Sequence, residues 1–89
     1  LKMAYKINYS REFVDFDEKK QKGFINYEEY DLDGVYDTIE EALEVLRNIG
    51  GEIFGALIAP PEGCLDTERK ELWVSDPCYG DELWKIIEA

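Results

Sequence analysis

Apolar and polar positions alternate in two stretches within the N-terminal third of the chain. Residues 5–9 place an apolar side chain at every second position, which is the spacing of a half-buried strand. A second apolar group at 13–16 follows a break at 10–12, and this break predicts a bulge or a short turn. The polar run 17–23 ends in glycine, as a hairpin loop does, and residues 24–32 suit a second strand. We therefore predict two antiparallel strands joined by a hairpin.

A helix is the most clearly patterned element of the sequence. Asp37 or Thr38 is placed to cap its first turn, with Glu40 or Glu41 three residues further on to complete a capping box. The glycine pair at 50–51 predicts its end, because glycine is favoured just past a helix C-terminus. Apolar side chains at helical spacing predict the buried stripe: Ile39, Ala42, Leu43, Leu46 and Ile49.

The C-terminal half predicts two further strands and a short helix. Residues 52–59 are apolar on both alternating faces and predict a central strand. A turn and a loop at 60–70 connect it to a strand at 71–75, which is expected to pair with it. After a turn at 76–80, Asp81 is placed to cap a last helix. One face of that helix would carry Leu83, Trp84, Ile86 and Ile87.

The predicted elements follow the order β-β-α-β-β-α and indicate an α+β fold. In this fold a small antiparallel sheet of about four strands packs on one long helix. The 89 residues suit a single domain over 1–89, and their 45% apolar and 13% aromatic content is sufficient for a folded core. Leu1 and Lys2, ahead of Met3, are expected to derive from expression cloning and receive no structural weight.

The net charge of −11 is distributed unevenly along the chain. Residues 1–22 carry six bases and four acids, whereas residues 23–46 carry eight acids and no base. Direct binding to nucleic acid or to an anionic membrane needs a basic patch, so neither is expected. No apolar run approaches the roughly 20 residues that span a bilayer. The complement of this charge is a basic protein surface or a cation.

The acidic segment is also rich in tyrosine, and this combination favours a protein-binding surface. Tyrosine is enriched at interface cores but Asp and Glu are depleted, so an acidic interface is expected only opposite a basic partner. A protein that binds nucleic acid has a basic groove of this kind. We therefore predict a small inhibitor or adaptor that docks on a basic, nucleic-acid-binding-type protein site. The predicted contact residues are Tyr27, Glu28, Glu29, Tyr30, Asp31, Asp33, Tyr36, Asp37, Glu40 and Glu44.

In its small size, acidity and tyrosine content the chain resembles phage-encoded anti-defence proteins and bacterial immunity proteins. The resemblance is one of composition, and it implies inhibition of a basic target protein. A simpler alternative is a soluble domain whose charge confers solubility and has no charge-dependent partner.

A calcium-binding loop at 29–40 is a further alternative. The carboxylates of this window, with Gly34 at the sharp turn, have a spacing that resembles the EF-hand signature. The candidate ligands would be Glu29, Asp31, Asp33 and Glu40. An EF-hand also needs an entering helix, whereas the residues before Glu29 predict a strand. We therefore expect no tight calcium binding.

Catalysis has little support in the sequence, and no cofactor is predicted. The chain has no histidine, which excludes Ser-His, Cys-His and His-metal chemistry. Cys64 and Cys78 are too few for a disulfide scaffold, and both are expected to be free thiols in a reducing cytoplasm. Trp73 and Trp84 are expected in the core. We therefore expect a binding protein and not an enzyme.

Overall fold

Five antiparallel strands and one helix make up the described part of the chain, which in this computed structural model comprises residues 3–55, 62–77 and 80–89. In chain order the elements are β1 (Tyr5–Asp17), β2 (Lys22–Asp31), α1 (Ile39–Phe54), β3 (Glu62–Asp66), β4 (Glu71–Asp76) and β5 (Gly80–Glu88). The sheet order is β2-β1-β5-β4-β3, so the last strand lies between the first and the fourth. The α+β class and the packing of one antiparallel sheet on one helix are confirmed. A fifth strand replaces the predicted C-terminal helix.

Helix α1 covers one face of the sheet. The register of the strands sets which residues share that face, because side chains alternate between the two faces of a strand. Ile7 pairs with Ile86, and Tyr9 pairs with Trp84, which in turn pairs with Leu72. These side chains and their neighbours form the buried apolar core: Ile7, Tyr9, Ala42, Leu46, Leu72, Val74, Trp84 and Ile86.

The opposite face of the sheet, called the open face, is covered by no helix or strand of the described residues. Its central positions are Ser10, Glu12, Tyr27, Trp73, Asp81 and Leu83. Trp73 is 41% exposed there, so its predicted place in the core is wrong, whereas Trp84 is buried as predicted. The reason is alternation: Leu72 and Val74 point towards α1, and the residue between them must point away.

Strands β1 and β2 continue beyond the rest of the sheet as a two-stranded arm. β1 pairs with β2 over residues 8–17 but with β5 only as far as Glu12. Residues 13–26 therefore project, and the principal-axis extents of the chain are 53 × 31 × 20 Å. The predicted hairpin is confirmed, with its turn at 18–21. Apolar residues on the arm remain in water, and Val14 is 76% exposed.

The predicted bulge or turn at 10–12 is wrong. β1 is one continuous strand, and its pairing with β2 keeps a single register throughout. The break in the apolar pattern marks the point where β1 leaves the buried core, whose last residue on this strand is Tyr9. Arg11 occupies this position on the α1 side, and its guanidinium carbon lies 3.9 Å from the ring centroid of Phe13. Arg11 is half-buried there and lies 3.5 Å from Glu28 of β2.

Helix α1 begins as predicted but ends later. The Oγ1 atom of Thr38 accepts a hydrogen bond from the backbone N–H of Glu41 at 3.2 Å and caps the helix. The predicted end at 50–51 is wrong, because the helix continues for another turn. In that turn Ile53 and Phe54 extend the apolar stripe and pack against the core. Their burial outweighs the cost of two helical glycines, about 1 kcal/mol each.

The substitution Gly51→Ala is expected to raise the free energy of unfolding by about 0.5–1 kcal/mol. Position 51 is exposed within α1, and a Cβ atom built there meets no atom within 4 Å. The substitution therefore removes the entropic cost of a helical glycine without a steric penalty. Urea denaturation of the two proteins checks this, and an unchanged or lower unfolding free energy would indicate a frayed last turn.

The predicted C-terminal helix is wrong, because residues 80–88 form strand β5. Trp84 and Ile86 face α1, whereas Leu83 and Ile87 lie on the open face. The two open-face residues are half-buried in the middle of the sheet, so this strand carries apolar residues on both faces. Four apolar residues within five positions then fit a helical stripe equally well, which is the known ambiguity of short apolar runs.

The predicted strand at 52–59 is wrong where the structure describes it. Residues 52–54 form the last turn of α1, and residues 56–59 lie outside the described ranges. The strand after the helix is β3, which lies within the segment 60–70 expected to be turn and loop. β3 buries no side chain fully, so its composition carries little strand signal. The predicted strand at 71–75 is confirmed as β4, which pairs with β3 and β5.

Candidate partner-binding surface

Strand β2 forms one outer edge of the sheet. All ten of its residues are exposed, and among the described strands β1 alone pairs with it. A long edge strand offers both backbone polar groups and side chains to a partner, and native proteins usually shield such edges. β2 is therefore an accessible platform for the residues predicted to bind a partner.

The predicted contact residues of β2 divide between its two faces. Its register with β1 puts Tyr27, Glu29 and Asp31 on the open face. Glu28 and Tyr30 lie on the side of α1. The edge strand thus presents carboxylates and tyrosines in two directions, and the predicted surface wraps around the edge.

The remaining predicted residues follow β2 along the chain onto α1. Asp33 and Asp37 are exposed in the connection, and Glu40 and Glu44 are exposed one turn apart on the helix. Tyr36 differs, because it is half-buried against the core and its backbone forms two 2.8 Å hydrogen bonds with the start of β1. It holds the connection to the sheet. The exposed members are called the acidic rim: Tyr27, Glu28, Glu29, Tyr30, Asp31, Asp33, Asp37, Glu40 and Glu44.

Two carboxylates of the acidic rim are paired with bases of β1. Asp31 lies 2.8 Å from the Nζ atom of Lys6 and accepts a hydrogen bond from the side-chain amide of Asn8 at 3.0 Å. The hydrogen bond from Lys6, followed by that from Asn8, holds the pKa of the Asp31 carboxyl below its usual range. Glu28 lies 3.5 Å from the guanidinium of Arg11. These two acids help to fix the edge strand on its neighbour.

Three further carboxylates of the acidic rim remain available to a partner. Glu44 is not one of them, because it is paired with Arg47, 3.3 Å away and one turn along α1. Glu29, Asp33 and Glu40 form no ion pair within the ranges that the structure describes, and each is exposed. These three charges are the ones that a basic partner could neutralise without breaking an existing contact.

Tyr30 is an exposed aromatic residue that the core holds in place. Its ring centroid lies 5.1 Å from that of Tyr9, which lies 5.0 Å from that of Trp84. The Tyr9 hydroxyl donates a 2.5 Å hydrogen bond to Glu82, and burial together with this bond raises the pKa of Tyr9 well above its ordinary range. Tyr30 is nevertheless 52% exposed. A contact residue ordered in advance loses less entropy on binding.

The alternative calcium loop lacks the flanking structure of an EF-hand. The residues before Glu29 lie in β2, where an EF-hand has its entering helix. Asp31 is engaged with Lys6, and Glu40 belongs to the first turn of α1. Within the described part of the chain, no group of three or more Cys, Asp or Glu side chains is arranged to hold a metal ion. The four candidate ligands, Asp33 included, are not gathered around one point.

A groove on the open face is the main feature that sequence reasoning missed. It has a volume of about 530 Å³ and crosses β2, β1, β5 and β4. Residues on its walls include Ser10, Glu12, Tyr27, Trp73, Asp81 and Leu83. The sequence pattern predicts Trp73 for the core and Asp81 for a helix cap, and both predictions are wrong. The alternation of Trp73 with two aliphatic neighbours is the signal that identifies it as a residue of the other face.

Cys64 lies on the open face, where it pairs across the strands with Trp73. It is exposed and its thiol is free, as predicted. Cys78 lies outside the described residues, so its predicted free thiol stays a prediction.

Comparisons with known proteins do not assign this chain to a family. No family model, curated protein or solved structure matches it. Among the described residues, no helix combines the length and the apolar character needed to cross a membrane.

Proposed function

We propose that this chain is a small protein-binding module, of the inhibitor or adaptor kind, that docks its acidic rim on a basic protein surface. The observation that supports this most strongly is the edge strand β2, whose ten residues are all exposed. On it, Tyr27 and Tyr30 are 55% and 52% exposed and flank two adjacent glutamates. Tyrosine offers large, rigid contact area, and the carboxylates require a basic partner.

A protein that binds nucleic acid has the matching surface. Glu29 and Asp31 lie on one face of β2 two residues apart, a spacing of about 6.6–6.8 Å along a strand. Glu40 and Glu44 continue the negative charge on α1, with about 5–6 Å between their Cβ atoms. Lys and Arg side chains that neutralise successive phosphates would find repeated carboxylates in their place. The module would then compete with nucleic acid for the basic site of its partner.

The net charge of −11 assists such docking beyond the contact itself. Long-range attraction to a basic partner raises the association rate, and its strength falls as salt screens it. The same charges have a simpler explanation, since charged residues on an edge strand also prevent edge-to-edge pairing with the sheet of another molecule. The two explanations differ in the measurement that changes when the rim is neutralised: recognition predicts weaker binding to a basic partner, whereas edge protection predicts self-association.

The proposal is tested by neutralising the free charges of the rim while the paired ones stay in place. The rim variant carries Glu29→Gln, Asp33→Asn and Glu40→Gln. The control variant carries Glu52→Gln, Glu68→Gln and Glu88→Gln, which change the net charge equally at exposed positions outside the rim. Asp31 and Asp66 are left unchanged, because Asp31 is paired with Lys6 and Asp66 accepts backbone hydrogen bonds in its turn. Calorimetry at one fixed salt concentration measures the binding of each variant to purified basic proteins.

The panel contains basic nucleic-acid-binding proteins and, for comparison, basic proteins that bind no nucleic acid. We expect the rim variant to bind its partner at least tenfold more weakly, since a truncated interfacial charge pair can cost about 2–5 kcal/mol when it is buried. The control variant should lose much less. Equal losses in the two variants would mean that net charge alone attracts the partner, and absence of binding across the panel would contradict the proposed partner class.

A further inference from the structure

The groove on the open face combines aromatic walls with a pair of facing carboxylates. Cross-strand pairing aligns Tyr27 of β2, Glu12 of β1, Asp81 of β5 and Ser75 of β4 in one row. Trp73 lies one step further along β4 on the same face and is 41% exposed. The groove above this row has a volume of about 530 Å³, which is large enough for a long side chain and part of its backbone.

Glu12 and Asp81 are direct cross-strand partners and carry the same charge. Like charges in this position destabilise a sheet. The Ser75 hydroxyl donates a 2.8 Å hydrogen bond to Asp81, but neither Glu12 nor Asp81 forms an ion pair with a base among the described residues. The nearest base on the open face of β5 is Lys85, four residues from Asp81 and so about 13 Å along the strand. A cation supplied by a binding partner would remove the repulsion between these two carboxylates.

The aromatic walls favour the same occupant. Tyr27 is 55% exposed and Trp73 41% exposed, so both rings are accessible from the groove that they line. The face of a Trp or Tyr ring attracts a cation, and the planar guanidinium of arginine also stacks on it. Arginine can in addition donate two hydrogen bonds to a carboxylate, which the point charge of lysine does not match. Ring walls beside two carboxylates therefore suit an arginine side chain.

We propose that this groove binds an arginine side chain of the basic partner, held between Tyr27 and Trp73 and paired with Glu12 and Asp81. This inference rests on the proposed function for the identity of the partner as a basic protein. A second copy of the chain is a poorer occupant, because each copy carries a net charge of −11 and the two repel each other. The three arginines of a second copy, Arg11, Arg47 and Arg69, are already paired with Glu28, Glu44 and Asp66. The lysines of its hairpin, at 19, 20 and 22, lack the planar donor group of arginine.

The test titrates ¹⁵N-labelled protein with a short arginine–glycine peptide and with the same peptide carrying citrulline, the neutral isostere of arginine. The two tryptophan indole N–H signals report separately, because Trp73 is in the groove and Trp84 is buried on the other side of the sheet. We expect the arginine peptide to shift the Trp73 signal in a saturable manner and to leave Trp84 nearly unchanged. The citrulline peptide should shift neither. Equal shifts with both peptides, or no shift of Trp73, would overturn the proposal.

Substitutions separate recognition from bulk charge. The groove variant Glu12→Gln/Asp81→Asn should bind the arginine peptide at least tenfold more weakly than the parent protein. The control Glu52→Gln/Glu88→Gln removes the same charge at exposed positions outside the groove, and it should change the affinity less than twofold. The groove variant should also melt at the same temperature or higher. It relieves a repulsive pair, and the amide oxygen introduced at position 81 can still accept a hydrogen bond from the Ser75 hydroxyl.

Each remaining outcome decides the question. Equal weakening in the two variants, or a groove variant that melts well below the parent, would overturn the proposal, since the pair would then act through bulk charge or as a structural element. If sedimentation shows a dimer and the Trp73 signal of that dimer does not respond to the peptide, a second copy is the occupant, and this result would overturn the proposal as well. The rim variant separates this proposal from the proposed function. If the rim variant binds its partner as tightly as the parent protein and its Trp73 signal still responds to the arginine peptide, the role of the acidic rim is rejected and that of the groove is retained.

Discussion

Leu72→Ala is expected to lower the free energy of unfolding by about 2–5 kcal/mol, the range for removing a large aliphatic side chain from a packed core. Leu72 is fully buried in β4, where it pairs with Leu65 of β3 and Trp84 of β5. It also lies under α1, since a Cβ atom at Gly50 would be 3.5 Å from its Cδ1 atom. Its loss therefore weakens the sheet and the helix contact together.

The effect should be large for this chain because the core is small. Marginal stability of about 0.05–0.15 kcal/mol per residue means that such a loss removes a substantial share of the total. Urea denaturation followed by circular dichroism measures it. Val14→Ala is the matched control, because Val14 is 76% exposed on the arm and should change stability by no more than about 0.5 kcal/mol. Equal small effects at both positions would contradict the assigned core.

Gly80→Ala should be the second strongly destabilising change, although it adds only one methyl group. Gly80 has a φ of +87°, a left-handed conformation that costs a side-chain-bearing residue about 1–3 kcal/mol. A Cβ atom there would also collide with the carbonyl oxygen of Glu12 and lie 2.8 Å from the Cα atom of Phe13. Because these are backbone atoms of β1, the two strands must separate. The free-energy cost of this separation adds to that of the left-handed backbone conformation.

Thermal unfolding of Gly80→Ala beside Gly51→Ala gives a paired comparison, since the two glycines should respond in opposite directions. Gly80→Ala should melt several degrees lower, as a loss of 1 kcal/mol moves the melting temperature of a small domain by about 4–8 °C. It should also weaken the arginine-peptide response, because the displaced β5 carries Asp81. An unchanged melting temperature would mean that β5 does not meet β1 at Glu12 as described.

Local patterns in the sequence were sufficient for the hairpin and for the start of the helix. Alternation in residues 5–9 and the polar run ending at Gly23 predict β1, the turn and β2. The cap at Thr38 predicts the first turn of α1, and its hydrogen bond to Glu41 is present. These signals act between residues close in the chain, so they do not depend on the rest of the fold.

The errors occur where distant residues decide the structure. The segment from Leu83 to Ile87 carries apolar residues on both faces of a central strand, and no local signal separates that from a helical stripe. The helix passes Gly50 and Gly51 because Ile53 gains core contacts. In both cases tertiary packing overrides local preference.

The candidate site divides in the same way. The sequence predicts that the acids and tyrosines of β2 are exposed, because charged residues stay in contact with water however the rest of the chain packs. The half-buried place of Tyr36 does not, since it depends on pairing with the start of β1. The groove depends on the register of β5 against β1, which sets Asp81 beside Glu12. That register joins residues almost seventy positions apart, and no local pattern encodes it.

Docking of the acidic rim on a basic partner is tested most directly by mapping which backbone amides of this chain respond when the partner is added. ¹⁵N-labelled protein is titrated with the basic nucleic-acid-binding protein that binds it most tightly in the panel, and the backbone amide shifts are followed at constant salt. We predict the largest changes along β2 and in the first turn of α1, with β3 at the opposite edge of the sheet nearly unchanged. Changes centred on β3, with β2 unaffected, would contradict the account.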